Sequence, residues 1–97
     1  MKLRTDEFLI LAVLCDGEMH TSGLMQAAYR KSGGGLVLRS AGLHGVLRRL
    51  VNSGLIARVE KPNPESGGAS QRSYYRITAA GLHLVQLEAE ERARGGE

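Results

Sequence analysis

The residues best suited to chemistry crowd into one stretch, RSAGLHGVLRRLVNSGLI, residues 39–56. Arg39, Arg48 and Arg49 offer planar forks of donors, His44 a ring that donates and accepts, and Ser40 a hydroxyl. No Asp or Glu occurs between Met19 and Val59, while Arg30, Lys31, Arg39, Arg48, Arg49 and Arg58 all fall there. A set of cations with no acid among them cannot share protons as a catalytic pair does; it binds anions. His20, His44 and His83 are far apart and have no metal-ligand spacing with Cys15. We therefore expect no catalytic residue, no metal site and no cofactor.

These side chains need an element to carry them. Leu43, Val46, Leu47, Leu50 and Val51 fall at helical spacing and would face a core. The opposite face carries Ala41, His44, Gly45, Arg48 and Asn52, small at its start and basic further along. Ser40 would cap the helix and Gly54 would end it, giving a helix over 39–53. Such a helix fits the DNA major groove, and we read it as the recognition helix of a helix-turn-helix. Gly42 and Gly45 weaken it by roughly 1 kcal/mol each relative to alanine. The readings that stand for them are close approach of another surface such as DNA, tight packing on a neighbouring helix, or simple tolerance of glycine.

With 97 residues and 42% hydrophobic content, the chain is expected to form one domain over 1–97, with a core over about 5–87 and a fraying tail over 88–97. There is no Trp, and only four residues are aromatic, which argues against a stacking platform for single strands. The lone Cys15 excludes an internal disulfide, fits a reducing cytoplasm, and reads as a buried small hydrophobe. The apolar run Phe8 to Cys15 is too short to span a membrane and lacks a cleavage signal.

In chain order, Thr5 caps a first helix that is apolar on all sides. One side must pack on the core; the other is covered by a second copy or by the C-terminal helix. Glu18–Thr21 reads as a connection. A second helix follows, capped by Thr21 or Ser22, with Leu24, Met25, Ala28 and Tyr29 facing inward. The glycines at 33–35 leave a helix and lack the residues of a phosphate loop, so they read as a turn. Leu36-Val37-Leu38 is enough for a very short strand. After the recognition helix, strands over 55–61 and 71–77 flank a turn-rich segment with a flexible tip. Arg58, Lys61 and Arg72 at its base make hairpin 57–77 a basic wing. Thr78 caps a last helix with Leu82, Leu84, Val85 and Leu87 on its apolar side. The fold class is thus mainly α with a small β-hairpin, α+β: a winged helix-turn-helix with an additional C-terminal helix.

With these elements placed, three blocks resemble the PadR-like family of winged-helix transcriptional regulators. Ile10-Leu11-Ala12-Val13-Leu14, then Gly17, Met19, His20 and Ser22-Gly23, is similar to the family's opening pattern. Leu43, Leu47, Arg49-Leu50 and Gly54-Leu55-Ile56 resemble its recognition-helix block, and Arg72 to Gly81 resembles its wing block. Where the family has Thr-Leu-Tyr-Pro, this chain has Gly42-Leu43-His44-Gly45, so His44 need not read the same bases. The resemblance implies a DNA-binding, repressor-like homodimer held by its terminal helices, here through Phe8, Leu9, Leu11, Ala12, Leu84, Val85 and Leu87. It also implies a small-molecule effector at the dimer cleft, although the absence of Trp argues against a stacked drug.

For duplex DNA, the expected contacts divide by chemistry. Ser40 and the amides around Ala41 and Gly42 would hold a phosphate at the helix start. His44 and Arg48 would face base edges. Arg39, Arg49, Lys61, Gln71 and Arg72 would bind phosphate, with Arg49 alternatively bracing the hairpin. A rival reading is a winged-helix adaptor that binds protein and no specific DNA.

Overall fold

The computed structural model describes residues 2–35 and 40–95, with the side chains of Ser40 and Ala41 outside that description. The elements run α1 (Thr5–Leu14), β1 (Met19–His20), α2 (Thr21–Lys31), α3 (Ser40–Asn52), β2 (Ile56–Pro62), a single 3-10 turn (Pro64–Ser66), β3 (Gln71–Ile77) and α4 (Ala79–Arg94). The architecture is α+β, four helices with a three-stranded antiparallel sheet in the order β1-β3-β2. Among the described residues no helix is long and apolar enough to cross a membrane.

One core joins these elements. Ile10, Leu11 and Leu14 of α1, Leu24 of α2, and Leu43, Leu47 and Leu50 of α3 are fully buried. The apolar face read for α3 is therefore the one that packs. Its end is a Schellman turn: the Gly54 amide donates to the Val51 carbonyl at 3.0 Å and the Leu55 amide to the Leu50 carbonyl at 2.9 Å. Gly54 has φ +75°, which a glycine adopts without strain. The chain then enters β2 at once, so only this turn separates α3 from the hairpin.

Several expectations are corrected. The Glu18–Thr21 connection contains a strand, with Met19 opposite Tyr75 and His20 opposite Tyr74. Arg4, not Thr5, is the N-cap of α1, and its amide donates to Glu7 Oε1 at 2.9 Å. His20 precedes α2, and no side chain caps that helix. Tyr29 is half exposed rather than inward. The segment 36–38 lies outside the described residues. The hairpin tip is a hydrogen-bonded turn: Asn63 Oδ1 accepts from the Glu65 amide at 3.0 Å, and the Asn63 amide donates to the Ser70 carbonyl at 2.9 Å.

The segment expected as tail begins inside the last helix. Helix α4 continues to Arg94, and Glu88 is buried because its Oε2 accepts the Leu3 amide at 2.8 Å. Charged composition looked like solvent-exposed tail, but one of those charges anchors the N-terminal segment.

Cys15 is likewise exposed at the end of α1 rather than buried. Partial desolvation raises its thiol pKa, Asp16 adds to that rise, and Lys31 opposes it. The thiol is thus protonated at neutral pH and a poor nucleophile. The pH–rate profile of its alkylation by iodoacetamide is expected to have its midpoint above that of a cysteine in an unstructured peptide. A midpoint at or below the peptide's contradicts this environment.

Candidate DNA interface

The outer side of α3 is open. Gly42, His44, Arg48 and Asn52 are exposed, and Gly45 is half-buried. A Cβ built on Gly45 meets only Arg49 Nη1, at 3.9 Å. Tight packing on a neighbouring helix is therefore not what keeps this position small. His44, Arg48 and Asn52 succeed one another every fourth residue, so they form a single ridge. None of the three has an ion pair or side-chain hydrogen bond among the described residues.

Beside that ridge lies a groove of about 310 Å³ between α3 and the sheet. Leu47, Val51 and Tyr75 form its apolar part, and His44, Arg48, Asn52 and Arg58 its polar part. Arg58 enters because it stands opposite Tyr75 in the β2–β3 register. Its charge is offset: Nε donates to Glu60 Oε2 at 2.8 Å and to Ser73 Oγ at 3.1 Å. The Ser73 hydroxyl in turn donates to Glu60 at 2.6 Å. That hydroxyl, then Arg58, holds the Glu60 carboxyl below its usual pKa, so it stays ionised beside Arg58.

The remaining expected contacts differ in how committed they are. Lys61 is half exposed, pairs with Glu18, and lies 5.3 Å from the centre of the Tyr74 ring. Arg72 is mostly covered: Nη2 donates to Asn63 Oδ1 at 2.6 Å and lies 3.4 Å from Glu65. It braces the wing tip. Gln71 is exposed on the same strand. Arg49 does not reach the hairpin, the alternative read for it; its Nε lies 3.3 Å from Glu7 Oε2, on α1. Ser40, Ala41 and Gly42 form the first residues of α3, where backbone amides lack helical partners. Arg39 lies outside the described residues.

The expected dimer residues also separate. Leu11 and Val85 are buried within the protomer's own core and so present no surface. Phe8, Leu9, Ala12 and Leu84 are half-buried, and Leu87 is 45% exposed. Arg92 of α4 covers the Phe8 ring at 4.0 Å, so the C-terminal helix shields part of α1 and leaves the rest open.

Sequence reasoning omitted Asn52 and Arg58 from the contact set. Asn52 was legible as the next residue of the His44–Arg48 ridge. Arg58 was not, because its place depends on strand register. Among the described residues, no three His, Cys, Asp or Glu side chains gather as a metal site.

Comparison with known proteins points the same way. The model of the transcriptional regulator PadR-like family matches residues 10–87. A transcriptional regulator from Clostridium thermocellum superposes with a TM-score of 0.76 at 22% identity, covering 92% of this chain and 83% of that one. A PadR family transcription regulator from Clostridium difficile gives 0.77 at 20% identity, covering 93% and 88%. Bacillus subtilis PadR in complex with operator DNA gives 0.74 at 18% identity; the match covers 88% of this chain but 46% of that longer one. Among curated proteins, none matches.

Proposed function

Because the chain belongs to the PadR-like family of transcriptional regulators, we propose that it is a sequence-specific DNA-binding repressor that acts as a cytoplasmic homodimer, without catalysis. Helix α3 enters the major groove and the β2–β3 hairpin serves as the wing. The observation that carries this reading is the unpartnered ridge of His44, Arg48 and Asn52 beside the basic groove. Arg58, Lys61 and Arg72 of the hairpin, by contrast, each have an acidic partner. Arg48 and His44 read base edges, because an arginine fork matches guanine and a histidine ring can donate or accept. The amides at the start of α3 hold a phosphate, as helix N-termini do. Lys61 and Gln71 approach the backbone from the wing; the Lys61–Glu18 pair, half exposed, is weak enough to exchange for phosphate. Solved operator-bound Bacillus subtilis PadR, a relative of the same fold, supports the assignment.

Dimerisation uses the open parts of α1 and α4: Phe8, Leu9, Ala12, Leu84 and Leu87. Two recognition helices about 34 Å apart would then meet successive turns of a near-palindrome. Leu87→Asp is expected to give monomers by analytical ultracentrifugation at concentrations where the native chain is dimeric. Its circular dichroism spectrum should stay native, since the site is exposed in the protomer, while its melting temperature falls by whatever the dimer contributes. A dimer that survives the charge places the interface elsewhere.

The reading as a whole is tested by fluorescence titration of two duplexes, the DNA just upstream of the protein's own gene and an unrelated duplex of equal length. Binding to the first is expected to be ~1000-fold tighter and to weaken steeply with salt. Equal weak binding to both rejects sequence specificity, and no binding to either favours a protein-binding adaptor.

A further inference from the structure

Arg49 stands next to Arg48 in sequence yet is engaged quite differently. Its Nε lies 3.3 Å from Glu7 Oε2, across 42 residues of chain. Glu7 is nearly buried, with its side chain 8% exposed, and its other oxygen accepts the Arg4 amide at 2.9 Å. One carboxylate thus holds the start of α1 with one oxygen and the last turn of α3 with the other. The Arg49 guanidinium leans back over Gly45, where a side chain would otherwise stand. A carboxylate this far from water needs a cation, and among the described residues Arg49 is the one paired with it.

Resting on the DNA-binding reading above, we infer that Arg49 is a positioning residue and not a phosphate contact: its pair with Glu7 sets the pose of the recognition helix on α1. The consequence reaches further than α3. Glu7 precedes Phe8, Leu9 and Ala12, the residues proposed to pack against a second copy. The pair therefore links the placement of α1 in the dimer to the orientation of the His44–Arg48 ridge.

The test uses the full chain with Glu7→Gln, Arg49→Gln, Arg49→Lys and the Glu7→Gln/Arg49→Gln double variant. Glutamine at position 7 keeps the shape and still accepts the Arg4 amide, so the fold is retained; circular dichroism melts check that. Each variant is titrated with the upstream and the unrelated duplex over a salt series. Glu7→Gln and Arg49→Gln are each expected to weaken upstream binding about tenfold, with the double variant no worse than either. Binding to the unrelated duplex and the salt slope should match the native chain. Arg49→Lys should lose nearly as much as Arg49→Gln, because an ammonium cannot reproduce the guanidinium's fit. The inference is overturned by any of three results. They are a slope reduced by about 0.9 in Arg49→Gln, full activity in Arg49→Lys, or tighter DNA binding by Glu7→Gln.

A readout without DNA separates this inference from the functional one. The Arg49 Nε–H resonance in ¹⁵N-labelled protein is expected to exchange slowly in the native chain and to be lost to fast exchange in Glu7→Gln. An Nε–H signal indifferent to Glu7→Gln overturns the pair itself. If the native chain binds neither duplex, the DNA reading fails and the positioning role falls with it. The α1–α3 link is then still decided by that resonance.

Discussion

Gly81→Ala is expected to lower stability by roughly 3 kcal/mol or more, a large part of what a small domain has. A Cβ at this position would lie 2.1 Å from the Leu55 carbonyl oxygen and 2.9 Å from Ile77 Cγ1. The first of these is backbone, and it is held. Leu55 O accepts the Thr78 amide at 3.0 Å, while the Thr78 hydroxyl donates to the Gly54 carbonyl at 2.7 Å and accepts the Gly81 amide at 3.1 Å. The end of α3, the end of β3 and the start of α4 thus meet at one point that a methyl group would occupy. Urea unfolding followed by circular dichroism measures the loss. A free energy within ~0.5 kcal/mol of the native value would show that the junction can shift at little cost.

Arg48→Ala should have the opposite profile. Arg48 is exposed and has no partner among the described residues, so its removal leaves no charge buried and no cavity. The melting temperature is expected to stay within a degree or so of native. Binding to the upstream duplex should fall by roughly 10- to 100-fold, the worth of one bidentate contact to a base pair. Binding to the unrelated duplex should fall far less. Anisotropy titration at fixed salt compares the two. A uniform loss on both duplexes, with a shallower salt slope, would reassign Arg48 to the phosphate backbone.

These two residues also mark what the sequence made legible. The ridge of His44 and Arg48 could be read because helical periodicity is local: five apolar residues fixed the buried face, and the rest had to face out. The hairpin was legible for the same kind of reason, two short strands with a nine-residue segment rich in turn formers between them. Most of the failures involve partners distant in the chain. Strand β1 has only two residues and exists because of Tyr74 and Tyr75, which no pattern around Met19 reveals. Arg49 looked like Arg48 until Glu7 was placed beside it. Glu88 read as tail because its partner is the backbone amide of Leu3 at the other end of the chain. Cys15 belongs to an apolar run, but it occupies the turn after the last helical residue, where the chain leaves the core. Gly81 was recognised as part of a family block, yet the reason for it, an oxygen on a different strand entry, is visible only in three dimensions.

The strand order β1-β3-β2 leaves β2 as an outer strand, with one side of its backbone unpaired. Exposed strand edges invite other strands to add on. Here the outer strand reads Ile56-Ala57-Arg58-Val59-Glu60-Lys61-Pro62, with charges in three of its last five positions and a proline at its end. Proline offers no amide to an incoming strand, and charges of either sign make a stacked copy meet its own like charge. The charged side chains and the proline of this strand therefore also act between molecules, as guards against self-assembly.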